Sequence, residues 1–379
     1  MKQEKLGRSP DFSCTSYHQT STITTTSTTT TTSTTTTSTT TTTSTSTTTS
    51  TTITIPKNAL FVATGGDTGN PTILSSVEIL TEDNNGIYTS KMMDINGCSP
   101  IPDFPIATSN AVGGFFNNLP YVCVGYKVGS PSTKCFSFNT NGSWENNFNL
   151  RKTLNVGDGS SIVFGDWGVI ETPWWILGGD PLGNGIELWG GDPPSEIVNN
   201  PIKLPEVLNQ ACIVKISDHE AFVIAIPKLI PAATNFAWIF NLTSNTWARQ
   251  NNTIEQRAGG ACGYIKNDTG RFVVLAGGTA FGSQSSTTEI FDLATRKWTM
   301  GPSIGVKMQK GRMVSVSEDQ ELLLIGGYGT TPLTEILRMD SSMSSWEPAG
   351  QLATGRFDAV AIVVPVGSLP PLCTGISTS

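Results

Sequence analysis

Few side chains in this sequence could do chemistry, and they are scattered. Two histidines occur, His18 and His219, the second in a turn-like Ser-Asp-His-Glu-Ala run. Seven cysteines stand at Cys14, Cys98, Cys123, Cys135, Cys212, Cys262 and Cys373, with no Cys-x-x-Cys pair among them. A zinc site needs three or four Cys, His or carboxylate ligands at suitable spacing, and no such pattern can be built here. The odd cysteine count excludes complete internal pairing. Arginine is what recurs. Arg151, Arg257, Arg312 and Arg356 each sit in, or at the end of, a polar stretch that precedes a short apolar run. A guanidinium presents a planar fork of donors that suits bidentate recognition of a carboxylate or phosphate. That is binding chemistry, and the same fork can equally cap the backbone of a neighbouring segment. No metal and no cofactor are expected.

The elements that position these residues are short. The charged fraction is 14%, against about 25% in average soluble proteins, and the chain carries 38 Gly and 22 Pro. Few charges, many turn residues and many short apolar runs imply an all-β chain. The formal net charge of −7 is diffuse. No basic cluster provides the footprint of a nucleic-acid binder. No apolar run approaches the ~18 residues that would read as a membrane span.

Residues 20–54 are Thr or Ser at every position except Ile23 and Ile53. Such a run has almost no apolar surface to offset an ordering entropy of roughly 1–2 kcal/mol per residue. Residues 1–55 are therefore expected to be a disordered tail, either an O-glycosylated stalk or a plain spacer. The start, MKQEKLGRSPDFSC, lacks the apolar region of a signal peptide.

From Pro56 onward the sequence repeats. Apolar runs ending in a glycine pair recur at Leu60–Asp67, Trp174–Asp180, Val273–Gly278 and Leu322–Tyr328, with a weaker copy at Tyr121–Tyr126. A copy without glycines, Ala221–Pro227, fills the gap left by the spacing. A second series, Trp144, Trp247, Trp298 and Trp346, follows strands and Asn/Ser/Thr turns in phase with the first. A third series opens each unit with an apolar strand, ending with Phe357–Val364. Each unit is thus four short strands. A small four-stranded sheet cannot bury both its faces alone, whereas radial stacking buries them and leaves short edges.

The order of strand, Gly pair, aromatic strand and Trp resembles the kelch repeat, over residues 56–366. The resemblance implies a six-bladed kelch-type β-propeller, with residues 367–379 as a C-terminal tail. The chain departs from the pattern in several units: Ala221–Pro227 lacks its glycines, the second unit keeps only Gly125, and the third has Trp189 on its third strand. The last unit ends with an extra first strand that the first unit lacks. Phe357–Val364 is therefore expected to pair with Leu60–Ala63 and close the ring without an open edge. The resemblance further implies that the second-to-third-strand loops and the inter-blade loops share one face. That would gather Arg151, Arg257, Arg312 and Arg356 with Asp67, Asp180 and Tyr328, which follow the glycine pairs, into a ligand face around the channel mouth.

Catalysis on such a scaffold lacks its residues. Copper radical oxidases with similar repeats require two His and two Tyr at the metal, and only His219 lies in the repeat region. Sialidase-type Ser-x-Asp-x-Gly-x-Thr-Trp turns are missing. A hydrolase or oxidase therefore ranks third. The first reading is a non-catalytic, monomeric module that binds a protein or glycan, extracellular or at the cell surface. The second is a cytoplasmic scaffold resembling the substrate-recognition kelch proteins of ubiquitin ligases. Four sequons, at Asn141, Asn241, Asn251 and Asn267, all fall in expected turns or loops and favour the first. Cys123 and Cys135 flank the hairpin 124–134 and are expected to oppose each other across the ladder as a disulfide, with two buried thiols as the alternative. Extracellular kelch proteins resemble this arrangement. Cys212 and Cys262 each follow Ala on equivalent first strands one repeat apart, and are expected to be too distant to bond.

Overall fold

Runs rich in Val, Ile, Leu and Phe, cut by Gly, Asn, Ser and Asp turns, set short strands throughout the chain. In a computed structural model, the described residues are 57–66, 73–94, 98–125, 132–150, 205, 208–227, 234–280 and 282–373, with the backbone of four strands between 160 and 196. Residues 1–56, which include the expected Thr/Ser-rich tail, lie outside the described residues, as do Arg151, Asp67 and Asp180.

The strands run β1 (Asn58–Ala63), β2 (Val77–Glu82) and β3 (Tyr88–Lys91), then β4 (Val112–Phe116), β5 (Leu119–Cys123), β6 (Lys134–Phe138) and β7 (Trp144–Asn149). They continue with β8 (Ser160–Val163), β9 (Trp174–Leu177), β10 (Ile186–Gly190) and β11 (Ser195–Glu196). Next are β12 (Leu208–Ser217), β13 (Glu220–Pro227), β14 (Phe236–Asn241) and β15 (Thr246–Arg249). After them come β16 (Ala261–Asn267), β17 (Gly270–Ala276), the short pair β18 (Thr279–Ala280) and β19 (Ser283–Gln284), β20 (Thr288–Asp292) and β21 (Lys297–Gly301). The last are β22 (Arg312–Val316), β23 (Glu321–Ile325), β24 (Glu335–Asp340), β25 (Glu347–Gln351) and β26 (Val360–Pro365).

The fold is all-β, and its unit is a four-stranded antiparallel sheet: β4–β7, β8–β11, β12–β15 and β16-β17-β20-β21. One further sheet has eight strands in the order β22-β23-β24-β25-β3-β2-β1-β26. Its two halves meet through a single parallel pair, Gly350 with Tyr88. Gly350 holds φ at +148°, and a Cβ there would stand 2.4 Å from the Tyr88 carbonyl oxygen, so only glycine fits the joint. Arg338 reinforces it with an ion pair to Glu82 at 2.6 Å.

The C-terminal strand β26 pairs antiparallel with β1, Phe61 opposite Ile362 and Ala63 opposite Val360. The pairing expected from the sequence is present, and the last strand completes the N-terminal sheet. Neighbouring first strands follow one another in a closed order: β26 beside β4, β4 beside β8, β8 beside β12, β12 beside β16, β16 beside β22, and β22 beside β26.

The apolar cores lie between successive sheets. Phe61, Ile79 and Ile362 meet Val122, Phe136 and Phe138 of the next sheet. Phe222, Ile224 and Ile239 meet Val273, Phe291 and Trp298. Val274 and Ala276 meet Leu322, Leu324 and Trp346. The recurring Trp side chains span these seams. Trp298 Nε1 donates to the Asn251 carbonyl at 2.9 Å, Trp144 Nε1 to the Pro102 carbonyl at 3.2 Å, and Trp346 Nε1 to Thr288 Oγ1 at 3.1 Å.

Three disulfides are present among the described residues. Cys123 and Cys135 are directly opposed on β5 and β6 and bonded. The adjacent Val124 N–H to Lys134 carbonyl bond marks them as a non-hydrogen-bonded, closely spaced pair. Cys212 and Cys262 are also bonded, with Cα atoms 6.0 Å apart. This corrects the sequence expectation. Equivalent first strands one repeat apart converge towards the middle of the molecule, and β12 and β16 approach there within disulfide reach. The third bond joins Cys98 to Cys373 across 275 residues. Residues 367–373, expected as the start of a tail, are held by this bond and by Cys373 N–H donating to the Met92 carbonyl at 2.9 Å. No helix among the described residues is long and apolar enough to cross a membrane.

Candidate functional site

The residue just before or at the start of a sheet's first strand recurs in a left-handed conformation. Asn110, Gln210, Lys310 and Asp358 hold φ at 52°, 50°, 60° and 50°, and Gly259 holds 65°. For a non-glycine residue this region is uncommon, and such strain gathers at functional sites. A backbone chain links these positions from loop to loop. Asn110 N–H donates to the Asp358 carbonyl at 3.1 Å, Asp358 N–H to the Lys310 carbonyl at 2.9 Å, and Lys310 N–H to the Gly259 carbonyl at 2.7 Å.

Together they rim a cavity of about 120 Å³, whose lining also includes Arg312, Cys212 and Cys262. Lys310 Nζ stands 2.9 Å from Asp358 Oδ2 and 5.4 Å from the Phe357 ring centroid. Arg312 Nε donates to the Ala359 carbonyl at 2.6 Å. Burial pushes the Arg312 guanidinium below its ordinary pKa, and the Asp358 charge pushes it back up. The mouth is thus polar, with two cations against one carboxylate, and its backbone is fixed by the loop-to-loop bonds. Such a site can hold a ligand group by hydrogen bonds and charge.

The arginines expected at a common ligand face divide. Arg312 lines the cavity. Arg257 and Arg356 do not: each is 1% exposed. Arg257 Nε meets Glu289 Oε1 at 2.7 Å, and its Nη1 donates to the carbonyls of Gly277 and Thr287. Arg356 Nη2 meets Glu78 Oε1 at 2.6 Å, and its Nη1 donates to the carbonyls of Thr64 and Ser76. These two cap the backbone of the sheet they enter, and burial removes them from any ligand. Their counterpart before β22 is Met308, not Arg312. Gly278 N–H bonds the Met308 carbonyl as Gly327 N–H bonds that of Arg356, each at 2.8 Å. Tyr328 is half-buried, its ring edge-on to Phe357 at 5.2 Å. His219 lies in the turn between β12 and β13, at the far end of β12 from the cavity.

Sequence reasoning missed Lys310, Asp358 and Asn110. Met308-Gln309-Lys310 and Arg356-Phe357-Asp358 share no residue pattern, and only the backbone conformation relates them. It also missed Glu78 and Glu289, although each opens an apolar strand as Val-Glu-Ile or Thr-Glu-Ile. The chain matches no family model, and no curated protein matches it.

Proposed function

We propose that this chain is a non-catalytic binding module built as a six-bladed kelch-type propeller, which recognises a protein or glycan through the face carrying the Lys310–Asp358–Arg312 cavity. The four-stranded unit, the closed order of first strands and the N- to C-terminal strand pairing support the propeller reading. The observation that carries the function is the rim of left-handed residues around a polar cavity. Asn110, Gln210, Lys310 and Asp358 hold this conformation near the starts of four first strands, so the repeat brings polar side chains to one rim. The three disulfides favour an oxidising, extracellular address over a cytoplasmic scaffold, because thiols stay reduced in the cytosol.

The test is binding of the full chain to a glycan array and to displayed extracellular protein domains, compared with the double variant Lys310→Gly, Arg312→Gln. Glycine already fills the equivalent position at Gly259, so the first change removes a charge and relieves the backbone. Loss of binding is expected in a protein that still unfolds cooperatively, at a lowered melting temperature because the buried Asp358 carboxylate loses its cations. Equal binding by both proteins would place recognition elsewhere.

A further inference from the structure

The four sequons are equal in sequence and unequal in the folded chain. Asn267 ends β16 at the entry to the β16–β17 turn, and its Nδ2 donates to the Ser341 carbonyl of the next sheet at 2.8 Å. Asn251 follows β15, and its Nδ2 donates to the Arg296 carbonyl of the next sheet at 2.7 Å. In both, the nitrogen that would carry the sugar closes a seam between sheets. Asn141 is exposed in the β6–β7 turn, and Asn241 is half-exposed at the entry to the β14–β15 turn. Only their Oδ1 atoms are engaged, by Ser143 and Ser244 within the same turns. Their Nδ2 atoms make no hydrogen bond among the described residues. The sequon hydroxyls Ser143 and Thr243 are exposed as well. The contact of the sequon hydroxyl with Oδ1 does not separate the two groups, since both Ser143 and Thr269 make it, at 2.6 Å each.

We propose that Asn141 and Asn241 are N-glycosylated and that Asn251 and Asn267 stay bare. This rests on the extracellular reading for the native protein. In the reaction the asparagine Nδ2 attacks the anomeric carbon of a polyprenyl-diphosphate-linked oligosaccharide. A C–N bond forms, the C–O bond to the diphosphate breaks, the diphosphate leaves, and the amide nitrogen gives up one proton. A sugar on Asn267 or Asn251 would replace one of two Nδ2 hydrogens whose nitrogen stands against the Ser341 or Arg296 carbonyl of the next sheet, and so would crowd the seam that this contact spans.

Placement gives the two sites a common consequence. Strands alternate in direction within each sheet, so the third-to-fourth-strand turns lie at the end opposite the start of the first strand. The cavity is lined by residues at the start of β4, β12, β16, β22 and β26. Asn141 and Asn241 both belong to third-to-fourth-strand turns. Sugars there cover the far face and leave the cavity open.

The test uses the full chain behind an added secretory leader in a eukaryotic host, so that every sequon meets the transferase whatever the native address. Peptide N-glycosidase in ¹⁸O water then marks each occupied site as labelled aspartate in peptide mass spectra. Label is expected at 141 and 241 in most molecules, and at 251 and 267 in a small minority. Asn141→Gln and Asn241→Gln should each increase gel mobility of the secreted protein, while Asn251→Gln and Asn267→Gln should not. Label at 251 or 267 equal to that at 141, or none at 141 and 241, would overturn the proposal. If the leader-directed chain shows the expected pattern and the native protein is bare, the site selection stands and the extracellular address falls.

Discussion

Arg257 Nε stands 2.7 Å from Glu289 Oε1 with both side chains at 0% exposure, and the same arrangement recurs between Arg356 and Glu78 at 2.6 Å. Each carboxylate also accepts two backbone N–H groups of the inter-sheet loop: Ile254 and Glu255 for Glu289, Ala353 and Thr354 for Glu78. The two pairs therefore clasp a loop to the sheet it enters. Where the sheet β22–β25 has Met308 at the arginine position, Leu337 replaces the carboxylate, and both pack in one apolar cluster. Charge has been exchanged for apolar contact as a unit.

Removing one partner leaves a buried charge uncompensated. Arg257→Ala and Arg356→Ala are each expected to cost about 3–5 kcal/mol, read from denaturant unfolding. Arg257→Met with Glu289→Leu should recover part of that loss, because no lone charge remains, though the Ile254 and Glu255 N–H groups lose their acceptor. Unfolding midpoints unchanged in the single variants would show that these arginines do not hold the loops.

The disulfides make unequal contributions. Cys123–Cys135 closes a loop of 12 residues in sequence separation, and its removal should cost about 3 kcal/mol by the loop-closure relation. Cys98–Cys373 spans 275 residues, and the loop-closure relation gives about 5.6 kcal/mol. Peptide mapping without reductant should recover all three linkages, including Cys212–Cys262. The ranking is checked by melting Cys→Ser pairs, with Cys98/Cys373 falling furthest.

The sequence made the repeat unit and the end-to-end closure legible, because both follow from apolar period and from counting strands. The register between sheets was less legible. Thr334-Glu335-Ile336 reads like Thr288-Glu289-Ile290, yet Gly326 N–H bonds the Glu335 carbonyl where Gly277 N–H bonds that of Thr287. The two runs are offset by two positions, and Glu335 is exposed while Glu289 is buried. Counting arginines likewise grouped Arg312 with Arg257 and Arg356, although it lies four residues after their counterpart, Met308. The Cys212–Cys262 bond was invisible because spacing along the chain does not tell how closely first strands converge.

Tyr88 lies at the joint of the eight-stranded sheet, where burial foremost, with the Glu82 charge second, raises its pKa from 10.0 to about 12. The folded value is above the unfolded one. The stability it contributes is therefore complete below pH 10.0 and is lost as pH rises towards about 12. Wild-type protein should lose stability over that window more steeply than Tyr88→Phe, measured by urea unfolding at stepped pH. Parallel curves would mean that Tyr88 ionises as freely as in the unfolded chain.

Closure depends on β26. Ending the chain before Gly355 removes Val360, Ile362 and Val364 from the core they share with Phe61 and Val122. The truncated protein is expected to aggregate or to melt far below the full chain in calorimetry. An unchanged melting temperature would show that β1 needs no partner on that side.

The role of the cavity face is tested most directly by hydrogen exchange on the full chain, with and without a saturating ligand taken from the binding arrays. Slowed exchange is expected at 110–113, 210–213, 259–262, 310–313 and 358–361, the segments that line the cavity. Protection confined to the opposite turns around Asp218, Asn267 and Asp319, with the cavity segments unchanged, would contradict it.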